Sequence, residues 1–137
     1  MEHGSQKPTL TYNLREMDLG AVSEWVLNSQ WGKSLSRVQI ISSFHGSSCV
    51  GLFAAGEQIG FGRAISDGVT SAYLKDIIIL DAFQRKGFGR QLMQGLFEHP
   101  DLGAVPNWYL GTKDAHGFYE TFGFRKSPNG IYMYLHI

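Results

Sequence analysis

The sequence predicts an α/β fold, an α+β mixed sheet that is mostly antiparallel and flanked by about four helices. Three observations carry that prediction. From Cys49 to Leu80, strand-like runs alternate with the turn residues Gly56-Glu57 and Asp67-Gly68, which reads as a three-stranded meander. Segments with apolar residues at helical spacing stand on both sides of it. A glycine-rich loop, Gln84-Arg85-Lys86-Gly87-Phe88-Gly89-Arg90, joins the apolar run Ile77-Ile78-Ile79-Leu80 to the second of those segments, so a strand feeds a helix directly. A sheet covered by helices is the economical packing for this order.

Taken in order, Thr9 to Leu14 alternates apolar Leu10, Tyr12 and Leu14 with polar residues, as a half-buried strand does. Asp18 is placed to cap a helix whose apolar positions are Leu19, Val22, Val26 and Leu27, with Trp25 alongside, and Ser29-Gln30-Trp31-Gly32 breaks the pattern. Ser34 to Phe44, with Leu35, Val38 and Ile41, is expected to be a second helix. The meander follows: Cys49 to Ala55, Gln58 to Ile65, and Ser71 to Leu80, whose apolar second half suits a central strand covered on both faces. Phe88, Leu92, Met93, Leu96 and Phe97 form one stripe of the next helix, and Pro100 stops it. Trp108 to Gly111 reads as a short strand, Asp114 as the cap of a short helix ending near Gly123, and Ile131 to Ile137 as a closing strand.

At 137 residues the chain is expected to be one domain over 9–137, preceded by a disordered segment over 1–8. Twelve basic and twelve acidic residues cancel, which removes the field that recruits nucleic acid or an anionic membrane. Cys49 is the only cysteine, so an internal disulfide and a cysteine-based zinc site are excluded, a cytoplasmic address is expected, and its apolar flank favours inert packing. No stretch approaches the roughly 18 apolar residues of a membrane span, and Met1 to Pro8 carries no hydrophobic targeting segment. The five histidines lack metal-ligand spacing, and no metal is expected.

The loop from Gln84 to Arg90 carries the chemistry. Glycines at 87 and 89 let backbone approach a ligand closely, and the first-turn N–H groups of the helix point at whatever lies above them, which makes a phosphate cradle. The loop lacks the Gly-Lys-Ser/Thr ending of a nucleotide-binding P-loop, so ATP is disfavoured.

Gln84-x-x-Gly87-x-Gly89, followed about thirty residues on by Phe118-Tyr119-Glu120-Thr121-Phe122-Gly123-Phe124, resembles the paired motifs of the GCN5-related N-acetyltransferase (GNAT) superfamily. The resemblance covers the chain from about Cys49 to its end. It implies an acyl-CoA N-acyltransferase fold with acetyl-CoA as co-substrate. The CoA pyrophosphate is then expected on backbone N–H groups from Arg85 through Lys86, Gly87, Phe88 and Gly89 to Arg90, behind Gln84, with the basic side chains adding charge. The pantetheine arm is expected along the backbone of Ile77, Ile78 and Ile79, where the strand from Trp108 diverges. Asp114 stands where the family often has Asn; helix capping is its expected role and a contact to the arm the alternative.

Acyl transfer from a thioester to an amine needs a neutral amine, a donor for the developing oxyanion and an acid for the departing thiolate. Tyr119 matches the tyrosine that serves as that acid in many members of the family, and a backbone N–H near Ile78 or Ile79 would polarise the carbonyl. Asp76 and His116 are two candidate bases, and amine with water can suffice without either. The resemblance implies a primary amine acceptor on a small molecule or a protein, attacking directly in a ternary complex. Trp25, Trp31 and Tyr73 are candidates to line its pocket. It also allows a homodimer, for which the residues show no interface signal. Two rivals stand beside this reading: a catalytically silent acyl-CoA-binding sensor, and an α/β nucleotide-binding module using the same loop.

Overall fold

The computed structural model describes residues 7–29, 32–128 and 130–136. In chain order its elements are β1 (Thr9–Thr11), α1 (Leu19–Leu27), α2 (Arg37–His45), β2 (Ser48–Ala54), β3 (Glu57–Ser66), β4 (Ser71–Ile79), α3 (Phe88–Phe97), β5 (Asn107–Tyr109) and α4 (His116–Glu120), with 3-10 turns at Leu14–Glu16 and Asp81–Phe83. The five strands form one sheet in sequence order, antiparallel throughout except for β4 and β5, which run parallel. The mixed, mostly antiparallel sheet with four helices is the architecture the sequence predicts.

Local chemistry explains where the elements begin. Asp18 caps α1, its carboxylate accepting from Ala21 N at 3.0 Å. The second helix starts at Arg37, later than Ser34, because Ser36 and Gln39 close a reciprocal capping box: Ser36 Oγ accepts from Gln39 N and Gln39 Oε1 accepts from Ser36 N. The β2–β3 turn is Ala55-Gly56 and not Gly56-Glu57, since Glu57 already pairs with Ala54. Ala55 and Gly56 have φ of 52° and 81°, the left-handed pair that a tight hairpin requires to match strand twist. The first strand is shorter than expected, ending at Thr11 before Asn13 caps the 3-10 turn.

Each face of the sheet has its own core. On one, α3 contributes Leu92, Met93 and Leu96 against Val50, Leu52, Ile59 and Leu74. On the other, Val22 and Val26 of α1 and Ile40 and Phe44 of α2 cover Cys49 and Phe61. Burial of these side chains, at about 25 cal/mol per Å² of apolar surface, is the main force holding the layers together.

Three expectations near the C-terminus are corrected. Asp114 does not cap α4: the helix starts after Ala115, Thr112 Oγ1 accepts from Ala115 N at 3.1 Å, and Asp114 stays exposed. Strand β5 begins at Asn107 and ends at Tyr109, short of Gly111. The closing strand expected from Ile131 is not formed over 131–136, because strand propensity supplies no partner edge, and Ile137 lies outside the described residues. Residues 1–6 and Trp31 lie outside them as well.

Candidate acyl-CoA cleft between β4 and α3

Strand β4 is central only at its start. Strand β5 pairs with Ser71 to Tyr73 and then leaves, so the β4 edge from Leu74 to Ile79 has no paired strand on that side among the described residues. Ile77, Ile78 and Ile79 are accordingly half-buried: Ile77 and Ile79 pack on the α3 side, Ile78 on the α1 side. Their side chains serve the two cores, and their outward backbone groups form a bare template for an extended ligand.

A bulge shapes this strand. Phe61 faces Ile78 and Arg63 faces Lys75, so Asp76 and Ile77 together oppose Gly62. Asp76 takes φ of 55°, a left-handed conformation that Asp tolerates better than most residues. Its carboxylate accepts from Arg63 Nε at 2.7 Å, and Arg63 Nη1 donates to Ser47 Oγ at 2.7 Å. Both charged groups are buried.

Beyond β4 the chain turns through Asp81–Phe83 into the glycine loop. Gln84 anchors the turn: its side-chain N–H group donates to Ile79 O at 3.0 Å and to Asp81 Oδ1 at 3.2 Å. Arg85 and Gly87 have φ of 64° and 85°. Gly87 is the N-cap of α3, no side chain caps that end, and a Cβ there would meet open space. The first-turn amides therefore look outward from an exposed loop, at the positive end of the helix dipole. Gly89 has another role, since a Cβ there would lie 3.3 Å from the Phe118 ring. It lets α4 dock on the start of α3.

That docking places Tyr119. Arg90 Nη2 donates to Thr121 Oγ1 at 2.9 Å, and the Arg90 guanidinium lies 4.6 Å from the centre of the Phe122 ring. Arg90 thus ties two helices together, while Arg85 and Lys86 remain exposed at the loop. Tyr119 is half-buried against Phe118 and Phe124, and burial raises its phenol above the ordinary tyrosine value, which keeps it protonated at neutral pH. His116 is exposed on the first turn of α4.

The expected site residues thus fall into groups. Gln84 to Arg90 lead from the β4 edge into α3, and α4, which carries His116 and Tyr119, docks on the start of α3 through Phe118 and Thr121, with Asp114 exposed just before it. Asp76 points elsewhere: it accepts from Arg63, which also donates to Ser47, beside Cys49 on the α1–α2 side. Trp25 packs against the α1–α2 core, and Tyr73 is exposed near Gly111. Phe118, Thr121 and Arg63 are structural contributors that motif reading passed over. Phe118 and Thr121 stand inside the Phe-Tyr-x-x-x-Gly-Phe element, whereas the Arg63–Asp76 pair becomes visible only once strand register is known.

Cys49 is buried, and burial pushes its thiol up to about 12, with opposing influences from Arg63 and Asp76. Among the described residues, no group of three His, Cys, Asp or Glu side chains gathers to hold a metal, and no helix is long and apolar enough to cross a membrane. Two surface concavities, one against His45, Cys49 and His99 and one beside β5, lie away from the glycine loop.

A profile of the Acetyltransferase (GNAT) domain matches residues 46–126, which spans β2 through α4. The chain belongs to the GNAT acetyltransferase family. This GNAT chain is 34% identical over 74 residues to GCN5-related N-acetyltransferase 1, chloroplastic, of Arabidopsis thaliana, covering 53% of this chain and 38% of that protein. It is 33% identical over 79 residues to Serotonin N-acetyltransferase 2, chloroplastic, of Oryza sativa subsp. japonica, covering 57% and 40%. It therefore spans well under half the length of these two relatives. A crystal structure of a GNAT-family protein from Xanthomonas campestris pv. campestris superposes with a TM-score of 0.87 at 29% identity, over 96% of this chain and 94% of that one.

Proposed function

We propose that this GNAT chain transfers an acetyl group from acetyl-CoA to a primary amine of a small molecule or protein, by direct attack in a ternary complex. One observation carries the reading: the uncapped, outward-facing start of α3 continues from a β4 edge that β5 has left bare. A pyrophosphate fits the first feature and an amide-bearing arm fits the second, so the residues present suit acetyl-CoA. When bound, acetyl-CoA supplies an activated acyl group as a thioester.

The chain's own groups then have these roles. Backbone amides from Arg85 to Arg90 hold the phosphates, with Gly87 keeping the approach open and Arg85 and Lys86 adding screened surface charge. The Ile77–Ile79 backbone aligns the arm, and an N–H near Ile78 or Ile79 donates to the carbonyl oxygen as charge develops there. Tyr119, a phenol that burial raises further above neutral pH, gives its proton to the departing thiolate. His116 is the favoured base, since it is exposed and can relay a proton to solvent. Asp76 is already bound to Arg63, and we assign it to holding the bulge.

The acceptor is proposed to enter from the α1 side, near Trp25 and Tyr73. Zero net charge favours neither nucleic acid nor a membrane as partner. The cytoplasmic address stays part of this proposal and rests on the single cysteine. Release of CoA thiol with a broad panel of amines tests the reaction. Tyr119→Phe is expected to lower kcat about 100-fold, with the acetyl-CoA KM changed by less than about twofold, because the hydroxyl acts in the chemical step. Full turnover in that variant removes Tyr119 from the mechanism. Cofactor binding by the wild type without turnover on any amine would favour the sensor reading.

A further inference from the structure

Two cations face each other across β3 and β4. Arg63 lies two residues beyond Phe61 and so shares its face of the sheet, the α1–α2 side, and Lys75 stands directly opposite Arg63 in register on that same face. Like charges opposed in this way weaken strand pairing unless carboxylates balance them. One carboxylate serves the two: Asp76 accepts from Arg63 Nε at 2.7 Å, and that pair is buried. Lys75 is half-buried and makes no ion pair among the described residues. The cluster is therefore one negative charge short.

The place of Lys75 gives that shortfall a use. Strand β5 pairs with β4 only as far as Tyr73, so Lys75 is the first residue of this face beyond the point where the two strands part. Ile78, whose N–H is one of the two assigned to the thioester carbonyl, follows about 10 Å farther along the strand, less what the bulge removes. A small molecule that brings its amine to that carbonyl from the α1 side carries its other substituents over Lys75. Tyr73 and Tyr109, side by side in register and 45% and 39% exposed, continue the face as an apolar floor.

We propose that Lys75 selects the acceptor: the amine acetylated by this chain also carries an anionic group, a carboxylate or a phosphate, which supplies the counter-charge that Lys75 lacks. The inference rests on the acetyl-transfer reading and adds the acceptor's class to it. The reaction keeps its balance: the amine nitrogen bonds to the acyl carbon, the C–S bond breaks, the thiolate takes a proton, and the new amide gives one up. An uncharged amine gains nothing at Lys75, whereas a second cation on the acceptor is repelled there, so the same residue attracts one class and rejects another. Partial burial makes the contact stronger than an exposed ion pair, because the ammonium has already lost part of its water.

Release of CoA thiol is followed with two matched pairs of amines: phenylalanine against phenylalaninamide for a carboxylate, and phosphoethanolamine against ethanolamine for a phosphate. Basicity differs within each pair, so the readout is how the ratio of kcat/KM values moves between variants. Lys75→Met keeps the apolar stem and removes the charge. It is expected to lower the ratio of anionic to uncharged amine about 10- to 100-fold in at least one pair. The uncharged amine should keep its kcat/KM within about twofold, with Tm unchanged. Lys75→Arg is expected to hold the wild-type ratio within about threefold, and Lys75→Glu to reverse the preference. The pair that responds names the anion. Ratios that Lys75→Met leaves unmoved in both pairs overturn the proposal while acetyl transfer stands. An equal loss on charged and uncharged amines also overturns it and makes Lys75 structural. Turnover of no amine, with acetyl-CoA still raising Tm, removes the transfer reading and the proposal with it.

Discussion

His99 shows how a single buried side chain ties stability to pH. It follows α3, packs with its ring tilted against Tyr12 at 4.5 Å between ring centres, and its Nδ1 accepts from Asp101 N at 3.0 Å. Burial lowers its pKa, against smaller opposing effects from the Asp101 carboxylate and the Cys49 backbone. The folded chain therefore holds its proton less tightly than the unfolded chain, whose histidine titrates near the ordinary value of about 6.5. Stability is complete above that value and is lost as pH falls through it toward the folded pKa. Thermal melts should show Tm dropping between pH 7.5 and 5.5, and His99→Asn should flatten that dependence. An equal slope in the variant would assign the effect to other groups.

At the scale of elements, contacts between neighbours decide what a substitution does. Gly89→Val forces side-chain atoms into the Phe118 ring, so α4 must shift with Tyr119 on it. Crowding of this kind costs about 1–3 kcal/mol, and we expect a lower Tm together with an acetyl-CoA KM raised at least about tenfold. Unchanged Tm and KM would mean that α4 does not dock where Phe118 places it. Arg63→Ala removes the guanidinium that balances the buried Asp76 carboxylate at the β4 bulge, and a loss of about 3–5 kcal/mol is expected in denaturant unfolding. A loss near zero would show that Asp76 finds other support. Much of this layer could be read before folding. Asp18, the Ser36-x-x-Gln39 pair and the Gly87 N-cap act through residues at fixed short spacing, which sequence displays. The Arg63–Asp76 pair, the docking of Phe118 on Gly89 and the Arg90–Thr121 bond join residues 13 to 31 positions apart. Such contacts follow from strand register and helix placement, which no local pattern encodes. The segment from Ile131 failed for the same reason, because its composition fits a strand but cannot name the edge that receives it.

For the molecule as a whole, the two motifs that carried the family resemblance also pack together at the proposed cleft, through contacts that neither motif displays. Binding at that cleft should stabilise the entire fold. Acetyl-CoA at about 100 times its Kd adds about 2.7 kcal/mol and should raise Tm by roughly 8 °C, whereas ATP at the same concentration should leave it unchanged. A Tm indifferent to millimolar acetyl-CoA would remove the cofactor from the account. Cys49 bears on how long such an enzyme would last at work. Its sulfur sits under α2 beside the Arg63–Asp76 pair, shielded and un-ionised at neutral pH. Attack on a disulfide needs a thiolate with access, and this sulfur has neither. Oxidised coenzyme A accumulating over many turnovers therefore has nothing on the chain to cap, and repeated cycles should proceed without a protecting reductant.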